Sequence, residues 1–222
     1  MTYEFFYKYR SIYIFWSLLL VFGGVLLMLL PQGQEILWLN QFYNPKSEQV
    51  FIYVTRIGEW IGFSIPLLYL FFARTMREFL GFLVMGLLIL ALVTFFKHIV
   101  FSDAMRPIVL FEKLNIIPEH LPNMRINRHN SFPSGHTTAA FGYFFYLALC
   151  LPKKWMSSGV IFLAALVGVS RMFLVQHFLK DVMAGGFLGV FLASVVYYFL
   201  VYRKPFHGGR LDLKWNQYAK RD

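Results

Sequence analysis

Three polar clusters interrupt an otherwise apolar sequence, and their residue types suit the handling of a phosphate group. The last cluster is Ser170-Arg171, followed by His177 and Asp181. Residues four apart on a helix share a face. The spacing therefore predicts that Asp181 accepts the proton of one His177 ring nitrogen and leaves the other nitrogen free as a nucleophile. Arg171 is a candidate phosphate ligand, whereas Lys180, adjacent to Asp181, points off that face and suits a solvated or snorkelling role. The middle cluster, Pro133-Ser134-Gly135-His136, reads as a turn leading into a helix. Gly135 permits close backbone approach, and helix-start amides favour an anion. Ser134 adds a hydroxyl donor, and His136 is placed as a general acid on a leaving oxygen. The first cluster offers Lys97 as a point charge and Arg106, before Pro107, as a planar fork for phosphate oxygens. Phosphoryl transfer needs mainly positioning and charge stabilisation on the equatorial oxygens, and this set supplies both. No metal-ligand spacing stands out, the single Cys150 excludes a multi-cysteine site, and no cofactor is called for.

In this order the clusters resemble the signature of the type 2 phosphatidic acid phosphatase superfamily, a Lys…Arg-Pro stretch, Pro-Ser-Gly-His, and Ser-Arg-x5-His-x3-Asp. Pro133 to His136 and Ser170 to Asp181 have the family's form. Eight residues lie between Lys97 and Arg106, more than the family carries, so a longer helix end or a bulge is expected there. The resemblance runs from Lys97 to Asp181. It implies attack on phosphorus by His177, orientation of His177 by Asp181, and protonation of the leaving alkoxide by His136. Lys97, Arg106, Ser134, Gly135 and Arg171 would then bind the phosphate. The implied substrate is a lipid phosphate or pyrophosphate: phosphatidylglycerol phosphate, phosphatidic acid, a polyprenyl pyrophosphate or lipid A phosphate. A lipid phosphotransferase would pass the same phosphohistidine to another acceptor. Vanadate-dependent haloperoxidases share the phosphate-binding signature but are soluble. A transporter or scaffold with intramembrane charges is the non-enzymatic alternative, and it would form no phosphoprotein.

Positioning these clusters falls to apolar segments. Of the 222 residues 58% are hydrophobic and 14% charged, with a mean hydropathy of +0.56; soluble domains run nearer about half and a quarter. A hydrocarbon core of about 30 Å needs roughly 20 apolar residues per helix. Spans are expected near 13–30, 57–73, 79–96, 137–151, 158–175 and 182–202, the fourth being short and extending back into the polar residues before it. The fold class is therefore all-α: an integral membrane bundle of six transmembrane helices in a single domain over 1–222. A long extracytoplasmic loop, His98 to His136, joins the third and fourth spans, as functional loops often do. The run after Lys8 and Arg10 is too long for a signal peptide and lacks a cleavage site, so an uncleaved anchor is expected. Ile36 to Leu39 suits a short interfacial helix with Trp38 at headgroup depth. Asn44-Pro45 is a cap and first position for the helix that becomes the second span. Arg74 to Glu78 and Pro152 to Met156 are tight links between antiparallel neighbours. Gly58-x-x-x-Gly62 and Gly185-x-x-x-Gly189 have the spacing of close helix packing.

A formal charge of +10 fits the flanks of membrane spans better than nucleic acid. With the N-terminus inside, 12 of the 21 Lys and Arg fall on the cytoplasmic side, in short segments. Both termini are then cytoplasmic, in a bacterial inner membrane, with residues 203–222 as a basic tail and the three clusters at the extracytoplasmic face. Glu59, near the outer end of the second span, suits an ion pair with a site cation or a role at the substrate's route. Arg125, Arg128, His129 and Asn130 suit headgroup contact or plain solvation. The aromatic residues, 20% of the chain, fit interfacial belts. The oligomeric state has no signature in the sequence.

Overall fold

In the computed structural model the described residues are 1–116, 118, 120–204 and 209–218, so the end of the basic tail, with Lys220 and Arg221, lies outside them. The elements are helical throughout. A short α1 (Tyr3–Lys8) leads into α2 (Arg10–Leu29), whose 20 uninterrupted residues span about 30 Å. The amphipathic α3 (Gln34–Asn40) follows, with Ile36 buried and Trp38 exposed, as expected of an interfacial segment. Asn44 caps α4 (Pro45–Arg56) through the amides of Lys46 and Ser47, with Pro45 at the first position.

The second span departs from the expected continuous helix over 57–73. The chain breaks at residues 57–59 and resumes as α5 (Trp60–Ala73), bent by 44° from α4. Gly58 and Gly62 therefore do not share one straight helix. Each permits a close approach of its own: a Cβ on Gly62 would stand 1.9 Å from the Ile57 carbonyl oxygen, and one on Gly58 2.9 Å from that of His136. A Thr75–Glu78 capping box starts α6 (Met76–Phe95), which ends in a π-helical turn, Phe96–Val100. After α7 (Pro107–Lys113) and an irregular stretch come α8 (Gly135–Cys150), α9 (Lys154–Phe173) and α10 (Leu179–Val196), which ends in a second π-helical turn, Tyr197–Tyr202. A 3-10 turn, Arg210–Asp212, and α11 (Trp215–Tyr218) complete the described chain.

Among the described residues four helices are long and apolar enough to cross a membrane: Arg10–Leu29, Met76–Val100, Lys154–Phe173 and Leu179–Tyr202. The bent pair α4–α5 makes a fifth if it is one span. The remaining expected span, the fourth, is α8, which does extend back to Gly135 but has only 16 residues. It is the central helix, with twelve of those residues buried. Lipid offers helices no hydrophobic reason to associate, so close packing must hold them. A Cβ on Gly185 would stand 2.6 Å from the Ser134 carbonyl oxygen, and one on Gly189 2.4 Å from that of Thr138. The glycine pair of α10 thus lets α10 lie directly on the first turns of α8. That contact brings two of the polar clusters together.

Candidate active site

His177 and Asp181 do meet, but not on one helical face. His177 lies before α10, whose N-cap is Phe178, and the chain reaches it through Val175 at φ +55. A β-branched residue in that region stores about 1–3 kcal/mol of strain. The Arg171 carbonyl, at the end of α9, accepts from the amides of Gln176 (2.9 Å) and His177 (3.3 Å) and so fixes the turn. Asp181 Oδ2 accepts from the Phe178 amide (3.0 Å), which closes the first turn of α10 and brings the carboxylate to the imidazole.

His177 Nδ1 is 3.6 Å from Asp181 Oδ2, too far for a direct hydrogen bond. The link runs through Ser131, whose hydroxyl donates to Asp181 Oδ2 at 2.5 Å and lies 3.4 Å from His177 Nδ1. All three side chains are buried. Ser131 is a site residue that the spacing of the motifs could not reveal; the one available signal was a hydroxyl residue two positions before the Pro133 turn. With Nδ1 engaged, Nε2 is the nitrogen left for a substrate. Burial, then Arg106, Arg171, Lys97 and His136, push the His177 pKa well below its ordinary value, so the imidazole is neutral at pH 7.

The same four groups define the site. Ser134 is the N-cap of α8: its hydroxyl pairs with that of Thr137 at 2.8 Å, and its amide donates to the Asp181 carbonyl at 3.0 Å. The Ser134 hydroxyl is therefore occupied in shaping the turn, while the next amides, of Gly135 and His136, are first-turn donors with no acceptor inside the helix. Lys97 sits in the π-helical turn ending α6, its Nζ 3.7 Å from where a Cβ on Gly135 would stand. That turn takes up the longer Lys97–Arg106 spacing and keeps the ammonium beside the Gly135 backbone.

Arg106 is 5% exposed and is held by carbonyls. Its Nε donates to His129 O, and Nη1 to both Gln176 O and Gln176 Oε1, each at 3.0 Å. Arg171, in the last turn of α9, donates from Nη1 to Thr55 Oγ1 at 2.7 Å. Its Nε is buried without a hydrogen-bond partner among the described residues, as is Asp181 Oδ1. Such orphans cost about 1–3 kcal/mol each and mark a place for a ligand or water. His136 Nε2 is 2.8 Å from Glu59 Oε1, so the partner of the Glu59 carboxylate is the imidazole of His136. Lys180 is exposed, its ammonium 5.4 Å from the Phe178 ring centroid.

A cavity of about 380 Å³ opens beside Lys97 and Arg106 and is otherwise lined by His98 and residues 127–130. The loop's main contribution is its backbone: carbonyls of Arg128 and His129 accept from Arg106, and that of Arg125 from Gln176 Nε2. The Arg128 side chain is taken up by Glu112.

Residues 78–205 match the PAP2 superfamily. The chain is 36% identical over 104 residues to lipid phosphate phosphatase 1 of Arabidopsis thaliana, covering 41% of this chain and 30% of that protein. It is 32% identical over 80 residues to the lipid A 1-phosphatase of Porphyromonas gingivalis, covering 34% and 18%. These matches thus span less than a third of the length of the curated relatives. The fold is similar to that of the first transmembrane PAP2-type phosphatidylglycerolphosphate phosphatase from Bacillus subtilis, with TM-score 0.53, 25% identity, and coverage of 90% of this chain and 99% of that one. It is also similar in fold to LpxE of Aquifex aeolicus, with TM-score 0.56, 22% identity, and coverage of 74% and 93%.

Proposed function

The chain belongs to the PAP2 superfamily of integral membrane proteins, and from that premise we propose that it is a lipid phosphate phosphatase working through a phosphohistidine on His177. One observation carries the reading. A neutral imidazole is enclosed with its Nδ1 side tied to Ser131 and Asp181 while Lys97, Arg106, Arg171 and His136 converge on it. A neutral nucleophile among cations suits attack on an anionic phosphate.

His177 Nε2 forms the N–P bond as the P–O bond to the lipid breaks. The departing electron pair stays on the leaving oxygen, which takes a proton from His136. Water then attacks phosphorus and gives a proton to His136, and the N–P electron pair returns to Nε2. Lys97, the free edge of Arg106, Arg171 and the amides after Ser134 hold the equatorial oxygens. Asp181 acts on His177 through Ser131. The sequence of steps uses no cofactor or metal. The substrate is a lipid phosphate, the class to which the names of the similar proteins point, or by the same chemistry a lipid pyrophosphate. Counting α8 and the bent α4–α5 pair, the chain crosses the bilayer six times, with both termini cytoplasmic and the site at the outer face.

The test is to incubate purified protein with ³²P-labelled phosphatidic acid and quench in denaturant at alkaline pH, where phosphohistidine survives. Wild type should carry a label that acid removes and should release free phosphate without an added alcohol. His177→Asn should carry none and lose at least about a thousandfold in rate. Turnover by His177→Asn within tenfold of wild type would sink the assignment.

A further inference from the structure

Glu59 stands apart from the chemistry described so far, yet the fold takes trouble to deliver it. The second span is interrupted over residues 57–59. Two glycines permit the interruption, since a Cβ on Gly62 would collide with the Ile57 carbonyl, and one on Gly58 with Val167 Cγ1 at 2.7 Å and the His136 carbonyl at 2.9 Å. At the break Glu59 becomes the N-cap of α5, and its Oε1 reaches His136 Nε2 at 2.8 Å. An acid within a span costs about 2.5–3.5 kcal/mol at its centre and calls for a partner. His136 is the hydrogen-bond partner of this carboxylate among the described residues. The pair is partly open, with side chains 30% and 42% exposed, and an open pair of this kind adds about 0–1 kcal/mol of stability. Stability alone is a weak reason for so much local construction.

We infer that Glu59 is a positioning residue for the proton-transfer steps, binding the Nε2–H of His136 so that Nδ1 carries the movable proton. The inference rests on the acid role proposed above for His136. While protonated, the imidazolium donates Nε2–H to Glu59 and presents Nδ1–H to the leaving oxygen. After donation His136 is neutral, and the Nε2–H bond to Glu59 is unchanged. Nδ1 is then the lone-pair nitrogen that takes a proton from the attacking water. Glu59 gains and loses no proton; it selects the tautomer and fixes the ring plane.

The test compares kcat/KM, which reports events through formation of the phosphoenzyme, on two probes in detergent micelles. Dioctanoyl phosphatidic acid has an alkoxide leaving group that needs a proton, whereas 4-nitrophenyl phosphate expels a phenolate that does not. Glu59→Gln should lower kcat/KM for the phosphatidic acid by about tenfold or more and for the aryl ester by less than about threefold. Glu59→Asp should recover part of the loss. Retained aryl activity also reports that the variant is folded. An equal loss on both probes would assign Glu59 a structural role, and an unchanged rate on the phosphatidic acid would remove it from the reaction; either overturns the inference. His136→Asn keeps the two readings distinguishable. If it is selectively defective on the phosphatidic acid and Glu59→Gln is not, the acid role stands and the inference falls. If His136→Asn shows no such selectivity, the acid role itself falls and takes the inference with it.

Discussion

An imidazole can attack phosphorus only while it is unprotonated, and His177 meets that condition through its surroundings. It is enclosed, and besides the Asp181 carboxylate its charged neighbours are the cations Lys97, Arg106 and Arg171, with His136 close by. The shift has a thermodynamic counterpart. An unfolded chain takes up a proton on this residue near pH 6.5, whereas the folded chain resists until well below that. Between those values the unfolded state binds more protons, so stability is fully present above about pH 6.5 and declines as pH falls, by up to about 1.4 kcal/mol per unit for one site. Thermal unfolding of phosphate-free protein at pH 7.5 and 5.5 should therefore show a larger drop for wild type than for His177→Asn, which lacks the titrating ring. Parallel drops would mean that His177 already carries a proton when folded. At this scale the sequence was legible wherever a residue belonged to a spaced motif: His177, Asp181, His136, Lys97 and Arg171 all come into one neighbourhood. Ser131, Thr55 and Gln176 were not legible. Their contacts to Asp181, Arg171 and Arg106 cross 50, 116 and 70 positions, and a lone hydroxyl or amide carries no periodic signal.

At the scale of elements, the helices could be read from apolar run length, and the features that aim the site could not. The π-helical turn at Phe96–Val100, the break at residues 57–59 and the left-handed Val175 each reset the direction of a segment by local backbone geometry. Hydrophobicity does not report such changes. Regular periodicity also suggested that His177 and Asp181 share a helix, whereas the carboxylate's bond to the Phe178 amide starts the helix after His177. The glycines of α10 give this scale its test. In an open helix position Gly→Ala gains about 1 kcal/mol of propensity. At Gly185 the added methyl would meet the Ser134 carbonyl at 2.6 Å, Thr138 Oγ1 at 3.1 Å and the Thr138 amide at 3.3 Å. Backbone cannot swing aside as a side chain can, so the clash should prevail by about 1–3 kcal/mol. Gly185→Ala should lower the melting temperature. It should also reduce activity beyond that loss, because it pushes Asp181's helix away from the Ser134 turn. Gly159→Ala, where nothing stands within 4 Å, should be neutral or slightly stabilising. An unchanged melting temperature for Gly185→Ala would mean that α8 and α10 are not packed as closely as described.

For the whole molecule, the two ends differ in kind. At one end Phe5 of α1 packs against Tyr198 and Tyr202, Arg77 pairs with Asp212 at 2.8 Å, and Thr75 bridges to Lys214. The N-terminus, the α5–α6 turn and the described part of the tail therefore gather together, and they carry Lys8, Arg10, Arg74, Arg77, Arg203, Lys204, Arg210 and Lys214. The α6 helix leads away from this end for 20 residues, about 30 Å, to the turn that holds Lys97. The span of α6 matches the hydrocarbon thickness. In the proposed topology the positive-inside tendency turns this basic end to the cytoplasm, and the candidate site would then lie in the outer leaflet. Cys150 is buried, so a single introduced thiol can report sidedness against a quiet background. In right-side-out membrane vesicles, an impermeant maleimide should label Asp103→Cys in the connection after α6 at once. It should label Lys154→Cys, at the start of α9, only after the vesicles are opened; both positions are exposed. The reverse pattern would put the site in the cytoplasm and assign it lipids of the inner leaflet. Labelling of both from outside would mean that α8, with its 16 residues, does not cross the membrane and that the count of six is too high.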